Sequence, residues 1–218
     1  MPPKAILFDF DGVLAKTMED NFNAWKGALR DYGIEIQPED YYPVEGLKVH
    51  EVPAWLFGRY GREVPDVQEV VKKKENHYLK HHHFELYPGV LDLLRDLRMK
   101  KILTAVVTAA LRNRLSGSVP VGFLESFDAV VTGDELKEGK PSPAPYLLAA
   151  SKLNLTPAEE CLVVENAPLG VESAKKAGIY CIALSTTMDP KYLHEADEIL
   201  GSFQDLRKSP RIQKLLQK

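Results

Sequence analysis

Short apolar runs recur along this chain, and segments with helical spacing separate them. Such runs are typical of strands that are buried on both faces of a sheet. They occur at residues 6–8, 101–108, 129–132, 161–164 and 179–184. Helical patterns occur between and after them at residues 90–98, 143–153 and 168–177. Strands that alternate with helices in this way predict an α/β fold built on a doubly wound parallel sheet.

The long segment between the first two predicted strands has a helical pattern throughout. Three helices are predicted there, at residues 15–32, 52–60 and 67–78, with a loop around Pro43 and Gly46. We therefore predict a small helical domain inserted into the sheet domain. The boundaries place the inserted domain at residues 16–85 and the sheet domain at residues 1–15 and 86–218.

Two other segments give weaker signals. Residues 113–123 form a polar, glycine-containing region to which the pattern assigns no element. The apolar positions of residues 201–218 predict a short helix that packs on the core.

The composition narrows the class of protein. A chain of 218 residues is long enough for an α/β core and a small second domain, and its net charge of −3 argues against nucleic acid as a partner. No apolar run approaches the roughly 18 residues needed to span a membrane, and the first residues lack a signal-peptide pattern. Cys161 and Cys181 each lie beside an apolar run, which favours buried free thiols over a disulfide. We expect a cytoplasmic monomer or weak dimer.

The first predicted strand leads directly into two carboxylates. Asp9 and Asp11 lie two residues apart, so an extended backbone points both side chains to the same side, and Gly12 then allows a sharp turn. Two convergent carboxylates at the end of a buried strand favour a bound cation, and their oxygen atoms suit Mg²⁺. One carboxylate can then act as a nucleophile while the other transfers protons.

Polar residues also follow the later strands, where ligands bind in parallel sheets. Thr108 and the backbone of Ala109 are candidates for binding a phosphate group, although Thr108 is also typical of an ordinary strand end. Glu165 and Asn166 are candidates for completing the oxygen ligands of Mg²⁺ opposite Asp9. They also suit a simpler role in capping the next helix.

Lys140 lies in a loop whose backbone is constrained by Gly139 and Pro141. A cation held rigidly beside paired carboxylates would neutralise charge on a phosphoryl group. A lysine in such a loop is also often simply solvated. Lys137 is the alternative, but it lacks the same backbone constraint.

Together these residues resemble the four motifs of the haloacid dehalogenase-like superfamily, most closely its β-phosphoglucomutase-like and phosphoglycolate phosphatase-like branch. The motifs are Asp9-Phe10-Asp11-Gly12, Thr108, Gly139-Lys140-Pro141, and Glu165-Asn166 followed by Pro168-Leu169-Gly170-Val171. The helical insertion resembles that superfamily's α-helical cap, and we call residues 16–85 the cap. Asn166 is a departure, because that branch usually has Asp there; Lys16 and Ala144 also stand where relatives commonly carry Asp.

The resemblance implies a phosphatase acting on a small-molecule phosphate ester, such as a sugar phosphate or phosphoglycolate. Asp9 would be phosphorylated, and Asp11 would protonate the leaving group and then activate water. Lys140 and Thr108 would bind the phosphoryl oxygens. Mg²⁺ would be held by Asp9, the backbone carbonyl of Asp11, Glu165 and Asn166.

A sugar phosphate mutase is the main alternative that the resemblance leaves open. Thr17 and Trp25 match β-phosphoglucomutases, but Asn21 replaces a histidine that positions their acid–base group. The cap loop at residues 46–50 also lacks a clear counterpart of the arginine that binds their distal phosphate. These differences favour hydrolysis.

Three further interpretations are weaker. A dehalogenase would need neither Asp11 nor Glu165, and a non-catalytic binding protein would not need Asp9 and Asp11 intact. The histidines of the cap suggest a second metal site, but an exposed basic helix end is the simpler interpretation. These histidines are His77, His81, His82 and His83.

Overall fold

The computed structural model describes residues 3–217, and within them the chain forms one six-stranded parallel sheet. The strands are β1 (Ala5–Phe8), β2 (Leu103–Val107), β3 (Ala129–Val131), β4 (Cys161–Glu165), β5 (Tyr180–Leu184) and β6 (Glu198–Leu200). They lie in the order β3-β2-β1-β4-β5-β6, so the chain winds outward from β1 in both directions. The predicted doubly wound sheet is confirmed. The sequence analysis missed β6, because three residues are too few to give a recognisable apolar run.

All described elements between β1 and the next core helix are helical. They are α1 (Met18–Arg30), α2 (Pro38–Tyr41), a 3₁₀ helix (Tyr42–Val44), α3 (Val52–Arg59) and α4 (Val67–His81). Their apolar faces pack together around Trp25, Leu56 and Val70. The chain enters and leaves this segment at an antiparallel bridge between Ala15 and Leu86. That crossing lies at the predicted boundaries of the cap, although the division into two domains stays a prediction.

The remaining helices flank the sheet. They are α5 (Val90–Met99), α6 (Arg112–Ser118), α7 (Ala144–Lys152), α8 (Pro157–Glu160), α9 (Pro168–Lys176) and α10 (Pro210–Leu216). Short 3₁₀ helices lie at Leu124–Ser126, Gly133–Glu135, Pro190–Leu193 and Phe203–Lys208. Helix α6 occupies part of the polar region to which the sequence assigned no element. The C-terminal helix is found at α10; residues 1, 2 and 218 of the predicted sheet domain lie outside the described residues.

The sheet is buried on both faces, as the continuous apolar runs predict. Ile6 and Phe8 pack into the core on one face, whereas Leu7 packs into the core on the other. Cys161 and Cys181 are free, buried thiols, which confirms that prediction. Among the described helices, none combines the length and apolar character needed to cross a membrane.

The strand register determines where the polar residues lie. Phe8 of the central strand pairs with Val106 of β2 and with Val164 of β4. Asp9, Thr108 and Glu165 follow these positions by one or two residues, so they come together at the carboxyl edge of the sheet. This edge faces the cap.

Candidate active site

Lys140 joins the carboxylates of Asp9 and Glu165. Its Nζ donates hydrogen bonds to Asp9 Oδ1 at 2.5 Å and to Glu165 Oε1 at 2.6 Å. The Lys140 side chain is only 2% exposed, whereas Lys137 lies on the surface. The loop before α7 therefore brings Lys140, and not Lys137, to the end of β1. The solvated alternative for Lys140 is wrong.

Every oxygen of the Glu165 side chain is already engaged. Oε1 accepts hydrogen bonds from Lys140 and from Tyr146 Oη, at 2.6 and 2.7 Å. Oε2 accepts the backbone N–H groups of Asn166 and Ala167, which precede α9. A Cβ atom at Gly170 would overlap this carboxylate. Glu165 thus anchors Lys140 and holds the turn that precedes α9, and its role as a direct metal ligand stays a prediction.

The charges at this edge of the sheet do not balance. Burial raises the pKa of Asp9 well above its usual value, and the nearby carboxylates of Glu165 and Asp11 add to this effect while Lys140 opposes it. Burial alone would lower the pKa of Lys140, but Asp9 and Glu165 raise it. Two buried carboxylates share one ammonium group, so an additional cation would be stabilised here.

Asp11 is held by donors from both sides of the site. Its Oδ1 accepts hydrogen bonds from Thr17 Oγ1 at 2.6 Å and from Asn21 Nδ2 at 2.9 Å. Arg114 of α6 contacts both carboxylate oxygens, at 3.1 and 2.9 Å. Burial alone would raise the pKa of Asp11, but the charge and hydrogen bonds of Arg114 and the hydrogen bond of Thr17 lower it to about 2. In this arrangement Asp11 is therefore a carboxylate.

Arg114 is the principal site residue that the sequence analysis missed. It lies in the polar region before β3, where an arginine gives no signal that separates it from a solvated side chain. The sequence shows Asn21 only as a replacement for a histidine of β-phosphoglucomutases. The structure shows that Asn21 still contacts the proposed acid–base group.

Asn166 provides an oxygen that is free to bind a cation. Its Nδ2 donates to Thr187 Oγ1 at 2.9 Å, while Oδ1 is buried and finds no hydrogen-bond partner within residues 3–217. Gly12 leaves room for this amide, because a Cβ atom there would overlap it. A carboxylate oxygen of Asp9, the Oδ1 of Asn166 and a backbone carbonyl form a donor set that suits Mg²⁺.

Clusters of metal-binding side chains are otherwise lacking in the described part of the chain. No group of three or more His, Cys, Asp or Glu side chains has the arrangement of a metal site there. His77 and His81 do share a face of α4, with their ring centroids 4.7 Å apart. A magnesium site would therefore depend on the amide of Asn166 and on backbone oxygen, and its charge would come mainly from Asp9.

Thr108 lies beside Asp11, and Ala109 follows it at the end of β2. Thr108 Oγ1 accepts the N–H of Ala110 at 3.0 Å and donates to Asp11 Oδ2 at 3.4 Å. Ala109 lines the cavity beneath the cap, and its carbonyl lies so close to Gly133 that a Cβ there would overlap it. Their role in binding substrate stays a prediction.

A small cavity of about 20 Å³ lies between the cap and the sheet, beside Arg114. A space of this size holds about one water molecule. Its polar lining includes Asn21, Glu45, Lys74, Glu75 and Arg114. On the cap loop, Lys48 Nζ donates to the carbonyl of Leu136 in the sheet domain at 2.7 Å. The structure therefore represents a closed arrangement of cap and sheet.

The cations around this cavity already have carboxylate partners. Arg114 pairs with Asp11 at 2.9 Å, and Lys74 pairs with Glu75 at 3.0 Å. Glu45 accepts a hydrogen bond from Tyr41, and burial raises the pKa of the Glu45 carboxyl. The cavity consequently offers hydrogen-bonding groups but little surplus positive charge.

Comparison with known proteins identifies the family of this chain. The model of the haloacid dehalogenase-like hydrolase family matches residues 6–184, which include every motif residue described above. The chain belongs to this family. The match extends from β1 to β5, so it covers the strands and loops that carry the candidate site as well as the cap.

Within the haloacid dehalogenase-like hydrolases, the chain is similar to proteins named as phosphatases and mutases. It is 32% identical to hexitol phosphatase A of Escherichia coli over 93% of each chain. It is 29% identical to validoxylamine A 7'-phosphate phosphatase of Streptomyces hygroscopicus, over 94% of this chain and 96% of that protein. The solved structure of a putative β-phosphoglucomutase from Bacteroides vulgatus matches with a TM-score of 0.86 and 31% identity, covering 100% of this chain and 91% of that one.

Proposed function

We propose that this chain is a Mg²⁺-dependent phosphatase that hydrolyses a small phosphate monoester through an aspartyl-phosphate at Asp9. The observation that carries the proposal is the placement of Asp9 at the carboxyl edge of the sheet, with Lys140 on one side and Asp11 close by. The hexitol and validoxylamine phosphate phosphatases among its relatives support it. The two buried free thiols fit a cytoplasmic location.

In the first step, a carboxylate oxygen of Asp9 attacks phosphorus while the bond to the leaving oxygen breaks. Lys140 stabilises the charge on the phosphoryl oxygens, and Glu165 and Tyr146 hold Lys140 in place. Asp9, the carbonyl of Asp11 and Asn166, with Glu165 beside them, are the residues that would hold Mg²⁺. When bound, Mg²⁺ supplies further positive charge at the phosphoryl oxygens.

In the second step, Asp11 removes a proton from the water molecule that attacks the aspartyl-phosphate. The low pKa of Asp11 in the described arrangement gives the carboxylate form that this step needs. In the first step Asp11 must instead deliver a proton to the leaving oxygen. Asp11 therefore has to keep the proton that it takes from water in the second step until the next substrate binds.

The charges in the cavity favour a neutral, hydroxylated leaving group over one that carries a second anion. The carboxylates of Glu45 and Glu75 can accept hydrogen bonds from hydroxyl groups. The two cations near them, Lys74 and Arg114, already form ion pairs with carboxylates. A mutase must hold a bisphosphate while that intermediate reorients in the site, and this requires a cation that binds the distal phosphate. We therefore propose a sugar or polyol phosphate as substrate and keep β-phosphoglucomutase activity as the second candidate, which the Bacteroides structure supports.

A panel of phosphate esters tests this proposal. We expect release of inorganic phosphate from hexose and hexitol phosphates in the presence of Mg²⁺, less from phosphoglycolate, and none in EDTA. With β-glucose 1-phosphate, ³¹P NMR separates inorganic phosphate from glucose 6-phosphate. Formation of glucose 6-phosphate as the main product would favour the mutase, and inert esters throughout would contradict both activities.

Substitution of Asn166 by Asp tests the metal ligands. The change Asn166→Asp adds a negative charge at the buried oxygen that now lacks a partner in the described chain, so Mg²⁺ affinity should increase about tenfold. Without Mg²⁺ the same charge should lower the melting temperature, because it adds a fourth buried carboxylate to Asp9, Asp11 and Glu165. Mg²⁺ titrations followed by activity and by thermal unfolding measure both effects. Unchanged Mg²⁺ affinity would exclude Asn166 as a ligand.

A further inference from the structure

Arg114 makes the most extensive contact with Asp11. Its Nη1 and Nη2 each donate to a different carboxylate oxygen, at 3.1 and 2.9 Å, in the two-pronged geometry that fixes the plane of a carboxylate. Both side chains are 4% exposed. The pair joins α6, in the sheet domain, to the residue between the first strand and the cap.

The two oxygens of Asp11 are not equivalent. Oδ1 accepts three hydrogen bonds, from Thr17, Asn21 and Arg114. Oδ2 accepts one short contact from Arg114 and a long one of 3.4 Å from Thr108. Oδ2 is therefore the oxygen that can carry a proton, and it lies beside the residue predicted to bind phosphate.

The cap determines where Arg114 lies. The guanidinium group stacks over the ring of Tyr78 on α4, with its carbon 4.7 Å from the ring centroid. Arg114 also lines both the small cavity and a larger cavity of about 390 Å³ that opens toward the surface. A leaving group that enters either cavity therefore meets Arg114.

We propose that Arg114 is a positioning residue for protonation of the leaving group. Held against Tyr78 by the closed cap, it fixes the plane of the Asp11 carboxylate so that Oδ2 faces the leaving oxygen. This inference rests on the proposed phosphatase activity and adds to it a residue that acts through Asp11.

One proton moves from Asp11 to the leaving oxygen in the first step. The bond between phosphorus and the leaving oxygen breaks as Asp9 forms its bond to phosphorus, and the proton that Asp11 Oδ2 took from water in the preceding hydrolysis step moves to the leaving oxygen. While Oδ2 carries the proton, a remaining lone pair on Oδ2 still accepts from Nη2 of Arg114, so the two-pronged contact is kept. Oδ1 meanwhile keeps its contacts with Thr17, Asn21 and Nη1, which hold the carboxylate in register.

The dependence on the leaving group tests this role. p-Nitrophenyl phosphate releases a phenolate that departs without a proton, whereas p-methoxyphenyl phosphate and sorbitol 6-phosphate release poorer leaving groups. We expect Arg114→Met to lower kcat/KM for the poorer leaving groups by about a hundredfold, but for p-nitrophenyl phosphate by only about threefold. Arg114→Lys should lie between the two enzymes, because lysine keeps the charge but loses the two-pronged contact.

Two controls separate positioning from a structural role. Arg112→Met changes an exposed arginine of the same helix, which pairs with Glu135 at the surface, and should leave all rates unchanged. In the double variant Arg114→Met with Asp11→Asn, the loss for sorbitol 6-phosphate should be no larger than for Asp11→Asn alone. This variant also removes both buried charges together, so it should fold even if Arg114→Met does not.

The possible outcomes are distinct. Equal losses for all esters in Arg114→Met and Arg114→Lys, or additive losses in the double variant, would overturn the role of Arg114. If the unaltered enzyme hydrolysed none of the esters, the phosphatase proposal itself would fail. A selective loss for poor leaving groups that disappears when Asp11 is already Asn would establish that Arg114 acts through Asp11.

Discussion

Asp9→Asn is expected to abolish turnover, lowering kcat for p-nitrophenyl phosphate by at least about a thousandfold. The amide has the shape of the carboxylate but cannot form a phosphoenzyme. Its carbonyl oxygen can still accept the hydrogen bond from Lys140, so the site should keep its arrangement. Because burial disfavours the charged form of Asp9, we expect the free energy of unfolding to change by less than about 1 kcal/mol. Steady-state kinetics and urea unfolding measure the two effects.

An exposed carboxylate provides the matched control. Asp92 lies at the surface of α5 and pairs there with Arg95, so Asp92→Asn should keep full activity. Intact-mass measurements should confirm that the amide introduced by Asp9→Asn has not deamidated back to a carboxylate. Turnover by the undamaged Asp9→Asn variant above about one hundredth of the original rate would mean that another residue attacks phosphorus.

Lys140→Met is expected to cause the largest combined loss of activity and stability. Removal of the ammonium group leaves Asp9 and Glu165 buried without their shared partner. Loss of one partner from a buried ion pair costs about 3–5 kcal/mol of unfolding free energy. The phosphoryl oxygens also lose a donor, so kcat should fall by about a hundredfold to a thousandfold. Lys137→Met, an exposed change in the same loop, should alter neither quantity.

The stability of the Lys140→Met variant should also depend on pH, and the direction of this dependence follows from the pKa of Asp9. Lys140 is the neighbour that lowers the pKa of Asp9, so its removal raises that pKa further in the folded state. The folded variant then binds a proton that the unfolded chain releases above about pH 4, and stability falls as the pH rises. Urea unfolding in EDTA at about pH 5 and about pH 8 should show a larger deficit at the higher pH. Equal stability of Lys140→Met and Lys137→Met at both values would contradict the buried ion-pair assignment.

The sequence predicts well which residues meet at the carboxyl edge of the sheet, because these residues follow regular elements. Asp9, Thr108 and Glu165 each follow or end a strand with a clear apolar run, and parallel strands bring such ends together. Lys140 is less obvious, since its loop alone does not show that the side chain turns inward. The paired carboxylates nearby provide the physical reason, because each would otherwise be buried without a countercharge.

The residues that contact Asp11 are harder to predict, because their identity depends on how two distant segments pack. Arg114 lies in a helix with few apolar positions, and nothing local distinguishes it from an arginine in water. Its burial results from contact with Tyr78 in α4, which is separated from it by the whole of α5 and β2. Glu165 shows the opposite case, since its position suggests either helix capping or Mg²⁺ binding, whereas its contacts hold Lys140 and the turn that precedes α9.

The complete engagement of Glu165 also constrains how this enzyme could diverge. Four donors from three parts of the chain converge on one carboxylate. The same carboxylate leaves no room for a side chain at position 170, so only glycine fits there. A mutation of Glu165 or Gly170 would disturb packing and the proposed phosphoryl chemistry at the same time. New substrate preferences would therefore arise most readily through substitutions in the cap, where side chains such as Glu45 line the cavity but do not support the sheet.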